Sequence, residues 1–264
     1  KVLQQTLKSG PEELRSAAAE GCMITAGRYM EQGTRDLLAL ALYDEVRKAD
    51  VPKQLGVTAT HGAILAREAA GRFLLVEQLK SDDPAYRAVA LHLVRELPGA
   101  EVTTALALEL GKVQPAVQAL LIPALADRGD NRALMAIEDR AKKGTAEVRI
   151  AAVQALGKIG GNSSLAILLP ALAAGRDPAE SDAALASLMQ IRAPDTNVRV
   201  LAALSSAEPG VCARLIGVLG ARGAENARGA ILKLAANPDA TVSMAAFRAL
   251  ALLARPGDLP ELIR

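Results

Sequence analysis

Apolar and polar positions alternate along this chain with the period of an α-helix, and the same pattern returns many times. The stretch 147–160, EVRIAAVQALGKIG, shows it most plainly. Its apolar side chains share one helical face: Val148, Ala152, Val153, Leu156 and Ile159. No stretch has the strict apolar-polar alternation of a half-buried strand. The pattern therefore predicts an all-α chain built from repeated amphipathic helices.

Seven of the predicted helices align by a residue in their first turn. These residues follow one another at intervals of 31 or 32 positions: Lys53, Pro84, Pro115, Ala146, Pro178, Pro209 and Ala240. Four are proline, which is tolerated there because the missing N–H has no intrahelical partner in the first turn. Another amphipathic helix precedes each of the seven. A near-constant period of this length is typical of stacked helical hairpins, each with a first and a second helix.

The seven aligned second helices share apolar columns. Six residues after each start stand Ala59, Ala90, Leu121, Ala152, Ala184, Leu215 and Ala246. Seven residues after it stand Thr60, Leu91, Ile122, Val153, Leu185, Ile216 and Phe247. Ten residues after it stand Ala63, Val94, Leu125, Leu156, Leu188, Leu219 and Leu250. These offsets lie on one face of a helix, so the columns predict the residues of the core.

The pattern divides the chain into two parts. Residues 1–33 are predicted to form N-terminal capping helices, and residues 34–264 one continuous array of about seven hairpins. Thr34 is placed to cap the first helix of the array. The chain begins without Met, and its last residues have the pattern of another helix start. We therefore expect it to be part of a longer protein.

Composition and charge exclude several classes of function. Aromatic residues make up only 2% of the 264 residues, so the core must be built from small aliphatic side chains. The 31 Lys and Arg and 29 Asp and Glu alternate along the chain, which argues against a nucleic-acid partner. Charged residues interrupt every long apolar stretch, so no membrane span is predicted. Cys22 and Cys212 lack the spacing of a metal or redox motif and are expected to be buried, reduced thiols.

The chain offers few residues for catalysis or cofactor binding. His61 and His92 occupy the same position, eight residues after a helix start, so stacking should make them neighbours. Gly62 and Leu93 follow them, and without adjacent carboxylates the sequence predicts no metal and no cofactor. Ser163 has no nucleophile elbow or triad partner around it, so no catalytic residue is predicted.

The glycines at the end of the 147–160 stretch need a structural explanation. A phosphate-binding loop would require a strand before it and a Lys-Ser/Thr pair at its end. The sequence around Gly157 has neither. Gly160 and Gly161 are instead predicted to end a helix in a positive-φ conformation.

Three segments carry a resemblance to a known family. VRIAAVQALGKIG at 148–160, DPAYRAVALHLV at 83–94 and TVSMAAFRALALLA at 241–254 resemble HEAT repeats, in particular the PBS-lyase-like variety of bacteria. The resemblance extends over about 34–264. It implies an α-α superhelix, a curved HEAT-like solenoid whose second helices line the concave side and bind partners.

The arginine that follows valine in a typical repeat of this kind is retained only in part. It is present as Arg149, and as Arg87 after Tyr86, whereas other repeats place Gln118, Ser181, Cys212 or Ser243 there. A complete ladder of Asp and Arg between repeats is therefore not expected. Arg87 is predicted to staple its loop through Asp82 or Asp83.

The resemblance also points to a binding face. If the second helices line the inner curve, the polar residues eight and twelve positions after the helix starts form a partner-binding strip. Its members are His61, His92, Glu96, Asp127, Gln154, Lys158, Gln190 and Arg248. We refer to them as the polar strip.

Three functions remain open at this point. The first is a monomeric protein-interaction scaffold, without enzymatic activity, that docks a protein or peptide partner. The second is a HEAT-like enzyme that resembles DNA glycosylases or bilin lyases, and the third is a structural spacer. Segments such as LALALYDEVRKADVPKQLG at 38–56 also resemble repeat arrays of large secreted or periplasmic bacterial proteins. This implies the noncatalytic part of a multidomain protein in that compartment.

Overall fold

The computed structural model describes residues 2–33, 36–173 and 177–253, and within them every regular element is helical. The chain forms two compact units, residues 1–117 and 118–264. The first contains α1 (Val2–Ser9), α2 (Glu12–Gln32), α3 (Asp36–Lys48), α4 (Lys53–Leu65), α5 (Arg72–Leu79), α6 (Pro84–Glu96) and α7 (Ala100–Leu110). Helix α8 (Pro115–Asp127) contains the division between the units. The predicted cap Thr34 lies outside the described residues.

The second unit continues the same alternation of first and second helices. It contains α9 (Leu134–Lys143), α10 (Ala146–Ile159), α11 (Leu165–Ala173), α12 (Pro178–Gln190), α13 (Thr196–Ala203), α14 (Pro209–Ala221), α15 (Arg228–Ala235) and α16 (Ala240–Leu253). Short 3₁₀ turns precede α5, α9 and α15, and another follows α13. The predicted all-α class of helical hairpins is confirmed.

All seven aligned residues are the first residues of the second helices α4, α6, α8, α10, α12, α14 and α16. An aspartate before the helix reinforces some of these starts. The Asp83 carboxylate accepts a hydrogen bond from the Ala85 amide at 2.9 Å, and Asp177 accepts one from Ala179 at 2.8 Å. In both helices the first residue is proline, so the cap and the missing N–H mark the same boundary.

Each unit has two layers of helices. In the second unit the second helices pack on one another in the order α10, α12, α14 and α16, while α9, α11 and α13 form the other layer. In the first unit α4 packs on α6 and α5 on α7 in the same manner, and α1 and α2 pack against α3. Residues at the same column of neighbouring second helices therefore lie side by side within a unit.

The predicted core columns are buried with few exceptions. Every residue of the sixth and tenth columns has at most 2% of its surface exposed. The seventh column departs from the prediction at Leu91 and Leu185, which are half-buried, and at Phe247, which is 49% exposed. Phe247 lies on α16, and no described second helix follows α16 to cover it. Thr60 is buried, and its hydroxyl donates to the Gly56 carbonyl at 2.8 Å.

The glycine conformation predicted at the end of α10 is wrong. Gly160 has φ −67°, and neither it nor Gly161 is among the residues with positive φ. Gly160 is needed for a different reason, because a Cβ there would overlap the Leu156 carbonyl and lie 2.9 Å from Ser164 Oγ. Close approach to neighbouring atoms, and not a left-handed backbone, explains this glycine.

Arg87 staples its loop through a different acceptor from the one predicted. Its guanidinium donates to the Ser81 carbonyl at 2.6 Å, while Asp83 forms its ion pair with Lys53 Nζ at 2.6 Å. Backbone and side-chain acceptors are both within reach in this tight turn, and sequence spacing does not distinguish them. Cys22 and Cys212 are buried free thiols, as predicted, and burial raises the pKa of each.

Candidate functional site

The first unit brings three members of the polar strip together. His61 on α4 and His92 on α6 stack with ring centroids 6.1 Å apart. Glu96 lies one turn after His92 on α6, and its carboxylate is 2.9 Å from His92 Nε2 and 3.9 Å from His61 Nε2. The predicted proximity of the two histidines is confirmed. We call His61, His92 and Glu96 the histidine cluster.

The packing around His61 fixes the position of this cluster. Gly62, the next residue, lies directly against the ring of Tyr43 on α3, where a Cβ would overlap the ring. On the other side of His61, the Thr60 hydroxyl accepts a hydrogen bond from Arg47 Nε at 3.3 Å. Both contacts come from α3, so they fix α4 against α3 at the position of His61.

The environment of His61 favours its neutral form. Desolvation by the surrounding protein lowers the pKa of its imidazole, Glu96 acts in the opposite direction, and His92 lowers it further. The net direction is downward, because loss of water penalises the charged imidazolium. His61 therefore becomes charged only at a lower pH than an ordinary histidine.

The second unit joins two further members of the strip. Lys158 Nζ on α10 is 2.9 Å from the Asp127 carboxylate on α8, in the same column one repeat earlier. Gln154 is exposed, and Gln190 lies over Gly157, where the side-chain amide would meet a Cβ. In this region the strip is partly neutralised by its own side chains.

Arg248, the last member of the strip, borders a groove between α14 and α16. The groove has a volume of about 390 Å³, and its apolar lining includes Ala221, Ala249 and Leu252. Gly217 opens it further, since a Cβ built there has no neighbour within 4 Å. Four of the lining residues stand eight or twelve positions after the start of their helix: Gly217, Ala221, Arg248 and Leu252. Here the columns that carry the polar strip in other repeats form an apolar groove.

Two arginines give the groove positive charge. Arg214, on the lining, donates to the Asp182 carboxylate and to the Ser181 hydroxyl, both at 2.6 Å. Arg248 is exposed and makes no hydrogen bond or ion pair with any described residue. The groove therefore combines apolar contact area with one uncommitted guanidinium.

The sequence prediction selects only the polar residues of these two columns, and it therefore misses most of the residues that line the groove. Gly217, Ala221 and Leu252 stand in the same two columns as the strip, yet small and apolar residues there carry no obvious chemistry. The signal available in the sequence was the loss of large and charged side chains from both columns of α14. Gly217 and Ala221, four residues apart on α14, leave room for a side chain of another molecule to pack there.

Ser163, the serine considered as a nucleophile, and its neighbour Ser164 have structural partners. The hydroxyls of Ser163 and Ser164 both donate to Glu138 Oε1 on α9, at 2.7 and 2.8 Å. This arrangement ties the start of α11 to the preceding hairpin.

Comparison with known families agrees with the helical hairpins. Residues 103–189 match the family model of HEAT repeats, and no curated protein matches the chain. This match, together with the all-helical fold, fits a HEAT-repeat solenoid of the α-α superhelix class. HEAT repeats are commonly protein-interaction modules. Among the described residues, no helix has both the length and the hydropathy required to cross a bilayer.

Proposed function

We propose that this chain is a docking module, and that the groove between α14 and α16 binds a peptide segment of a protein partner. The observation that supports this proposal is the groove itself, an apolar depression beside the uncommitted Arg248. A monomeric docking role without catalysis is in keeping with the HEAT family match.

The lining of the groove favours an apolar side chain as one part of the ligand. Leu252 is 70% exposed, which leaves a large hydrophobic surface in water unless a partner covers it. The neighbouring Ala221 and Gly217 are too small to fill the space between the helices. Covering this surface would stabilise a complex by about 25 cal/mol for each Å² of apolar area removed from water.

The arginines favour a carboxylate as the second part. Arg248 can form a two-pronged pair with a carboxylate, the geometry for which a guanidinium is suited. Arg214 adds positive potential, although Asp182 already holds one of its nitrogens. Arginine beside a desolvated apolar pocket is a common centre of binding energy in protein interfaces. A protein segment with an apolar side chain next to Asp or Glu combines both requirements.

We also propose a broader setting for this activity. The remaining members of the polar strip would supply weaker contacts along the second helices, and the chain would be the noncatalytic part of a larger bacterial protein. That setting rests on the sequence resemblances, whereas the groove rests on the geometry of the second unit. A structural spacer is the competing outcome, and it requires no occupant for the groove.

A displayed random peptide library tests the proposal directly. Peptides of about twelve residues are selected on the untagged protein, and an enriched peptide is synthesised with a fluorophore for polarisation measurements. The expected peptides carry an acidic residue beside one or two large apolar residues. Gly217→Leu, which fills the groove, and Arg248→Glu, which reverses its charge, should each weaken binding by roughly tenfold or more, the effect of losing one interface anchor.

Matched control variants identify the face. Gly229 on α15 is also a helical glycine with open space around it, and Arg199 on α13 is an exposed arginine without an ion pair to a described residue. Gly229→Leu and Arg199→Glu should leave peptide binding unchanged. The groove is not the docking site if no peptide is enriched, or if Gly217→Leu and Arg248→Glu bind the selected peptide as tightly as the controls.

A further inference from the structure

We propose that the histidine cluster is a binding site for a divalent transition-metal ion, Zn²⁺ in particular. His61, His92 and Glu96 each offer one ligand atom, and these atoms all lie within 4.8 Å of one another. The sequence predicts no metal, because neither histidine is followed by a carboxylate. The carboxylate comes instead from Glu96, one helical turn beyond His92. This site lies in the first unit and does not depend on the groove of the second.

The distances are close to those of a metal site. In a tetrahedral zinc site with bonds of about 2.0–2.1 Å, neighbouring ligand atoms are roughly 3.3 Å apart. Glu96 Oε1 is 2.9 Å from His92 Nε2 and Glu96 Oε2 is 3.9 Å from His61 Nε2, so these two contacts, made by different oxygens of one carboxylate, lie on either side of that value. Small side-chain rotations would bring all three donors to one ion, without any change in the helices.

The helices already hold the donors on one surface. His92 and Glu96 are four residues apart on α6, a spacing that places their side chains next to each other. His61 is in the same column of α4, which packs directly on α6. The contact of Tyr43 with the backbone at Gly62 fixes α4 beside the site. Ligands on packed helices lose less conformational freedom on binding than ligands on loops.

The donor set selects the class of ion. Two imidazole nitrogens and one carboxylate oxygen suit Zn²⁺ and its transition-metal neighbours, whereas Mg²⁺ and Ca²⁺ prefer oxygen ligands alone. Glu96 supplies the negative charge that offsets the ion. The side chains of His61, His92 and Glu96 are 36%, 65% and 44% exposed, so the ion would have access to solvent. Water would complete the coordination, leaving a position that another ligand can take.

Isothermal titration calorimetry of the untagged full chain with ZnCl₂ tests the site. The chain contains only two histidines, so any histidine-ligated ion must use this cluster. We expect saturable uptake of one Zn²⁺ per chain. His61→Ala, His92→Ala and Glu96→Gln should each weaken it by roughly tenfold or more, since even supporting residues of metal sites have effects of about that size. MgCl₂ should give no saturable uptake.

Asp127→Asn is the matched control, because Asp127 is an exposed carboxylate in the same column as Glu96 but outside the cluster. It should bind Zn²⁺ as the wild type does. Circular dichroism of each variant checks the fold, and NMR of the two imidazoles should show both shifting on zinc addition. The proposal is overturned by the lack of one-to-one uptake, or by uptake that persists when both histidines are replaced.

Discussion

Arg149 on α10 holds the carboxylate of Glu180 on α12, the next second helix of the stack. Its Nε and Nη2 atoms donate to Glu180 Oε2 at 3.1 and 2.8 Å, and Nη1 donates to the Gly144 carbonyl at 3.2 Å. The hydrogen bonds to Glu180 raise the pKa of the guanidinium. Arg149, the arginine that the sequence marks as typical of the family, thus links adjacent repeats by an ion pair with Glu180. We call this pair the rung between α10 and α12. It joins the loop before α10 to both helices.

Removing this rung should destabilise the second unit. Arg149→Met keeps most of the aliphatic stem but leaves the Glu180 carboxylate, on a residue only 8% exposed, without its guanidinium. We expect a loss of about 1.5–3 kcal/mol in the free energy of unfolding, the range for hydrogen bonds to charged groups. Urea unfolding followed by circular dichroism measures it.

A double-mutant cycle separates the pair from its surroundings. Glu180→Gln alone should also destabilise the protein, and adding it to Arg149→Met should cost less than the sum of the two single changes. Arg199→Met, at an exposed arginine, should have little effect. Strict additivity of Arg149→Met and Glu180→Gln would show that the two side chains are not energetically coupled.

Two helical glycines should respond to alanine with opposite signs. A Cβ at Gly157 would lie 2.9 Å from both Cα and Oγ of Ser187 on α12, and the Cα cannot move without the helix. Gly157→Ala should therefore destabilise the protein by about 1–3 kcal/mol, as overpacking does. A Cβ at Gly217 has no neighbour within 4 Å. Gly217→Ala should stabilise α14 by about 0.5–1 kcal/mol.

Thermal unfolding of the two variants under identical conditions provides the measurement. The comparison needs no further control, because both positions are glycines in second helices and the substitution is the same. Equal shifts in melting temperature would contradict the close contact assigned to Gly157.

The sequence was sufficient for the helices and their stacking because both follow from simple periodic rules. Proline at Pro84 or Pro178 marks a first helical turn, and the columns repeat because each second helix buries the same face. The same rule placed His61 beside His92. The hydrophobic period and the residues that start a helix are local features of the sequence, so they can be recognised without knowledge of the tertiary contacts.

The details of the sites could not be predicted because they depend on side-chain direction. The direction of the Glu96 side chain places its carboxylate near both histidines. Arg87 donates to the Ser81 carbonyl and not to the predicted carboxylates of Asp82 or Asp83. Gly160 is explained by a contact with Ser164, a residue of the following turn. Sequence spacing gives the helical face of a residue but not which of several acceptors its side chain contacts.

Acid should remove a contribution of Asp83 to stability. The hydrogen bond from Lys53, and then that from the Ala85 amide, hold the pKa of the Asp83 carboxyl below its ordinary value. A carboxyl whose pKa is lower in the folded state stabilises the protein above the ordinary carboxyl range, and that stabilisation is lost as the pH falls through the folded-state pKa. Asp83→Asn keeps a capping side chain but removes this dependence.

Urea unfolding at about pH 7 and about pH 2.5 tests the effect. Asp83→Asn should be less stable than the wild type at the higher pH, and the difference should shrink at the lower pH. Lys53→Met should cause a similar loss at the higher pH, because Lys53 Nζ lies 2.6 Å from the carboxylate. Asp82→Asn, at the neighbouring exposed carboxylate, serves as the control. A constant difference between Asp83→Asn and wild type at both pH values would contradict the assignment.

Leu156 tests the column arrangement most severely, because it is fully buried on α10 in the middle of the described second helices. Leu156→Ala should cost about 2–5 kcal/mol, from the lost transfer free energy and the cavity left behind. Leu156→Asp places a carboxylate without a partner in the same space and should unfold the surrounding hairpins. Met135→Asp, at a residue of α9 that is 82% exposed, is the matched control and should leave the circular dichroism melting curve nearly unchanged. If Leu156→Asp melts like Met135→Asp, the tenth column is not the core of the repeat, and the face assigned to the polar strip and the groove would have to be assigned anew.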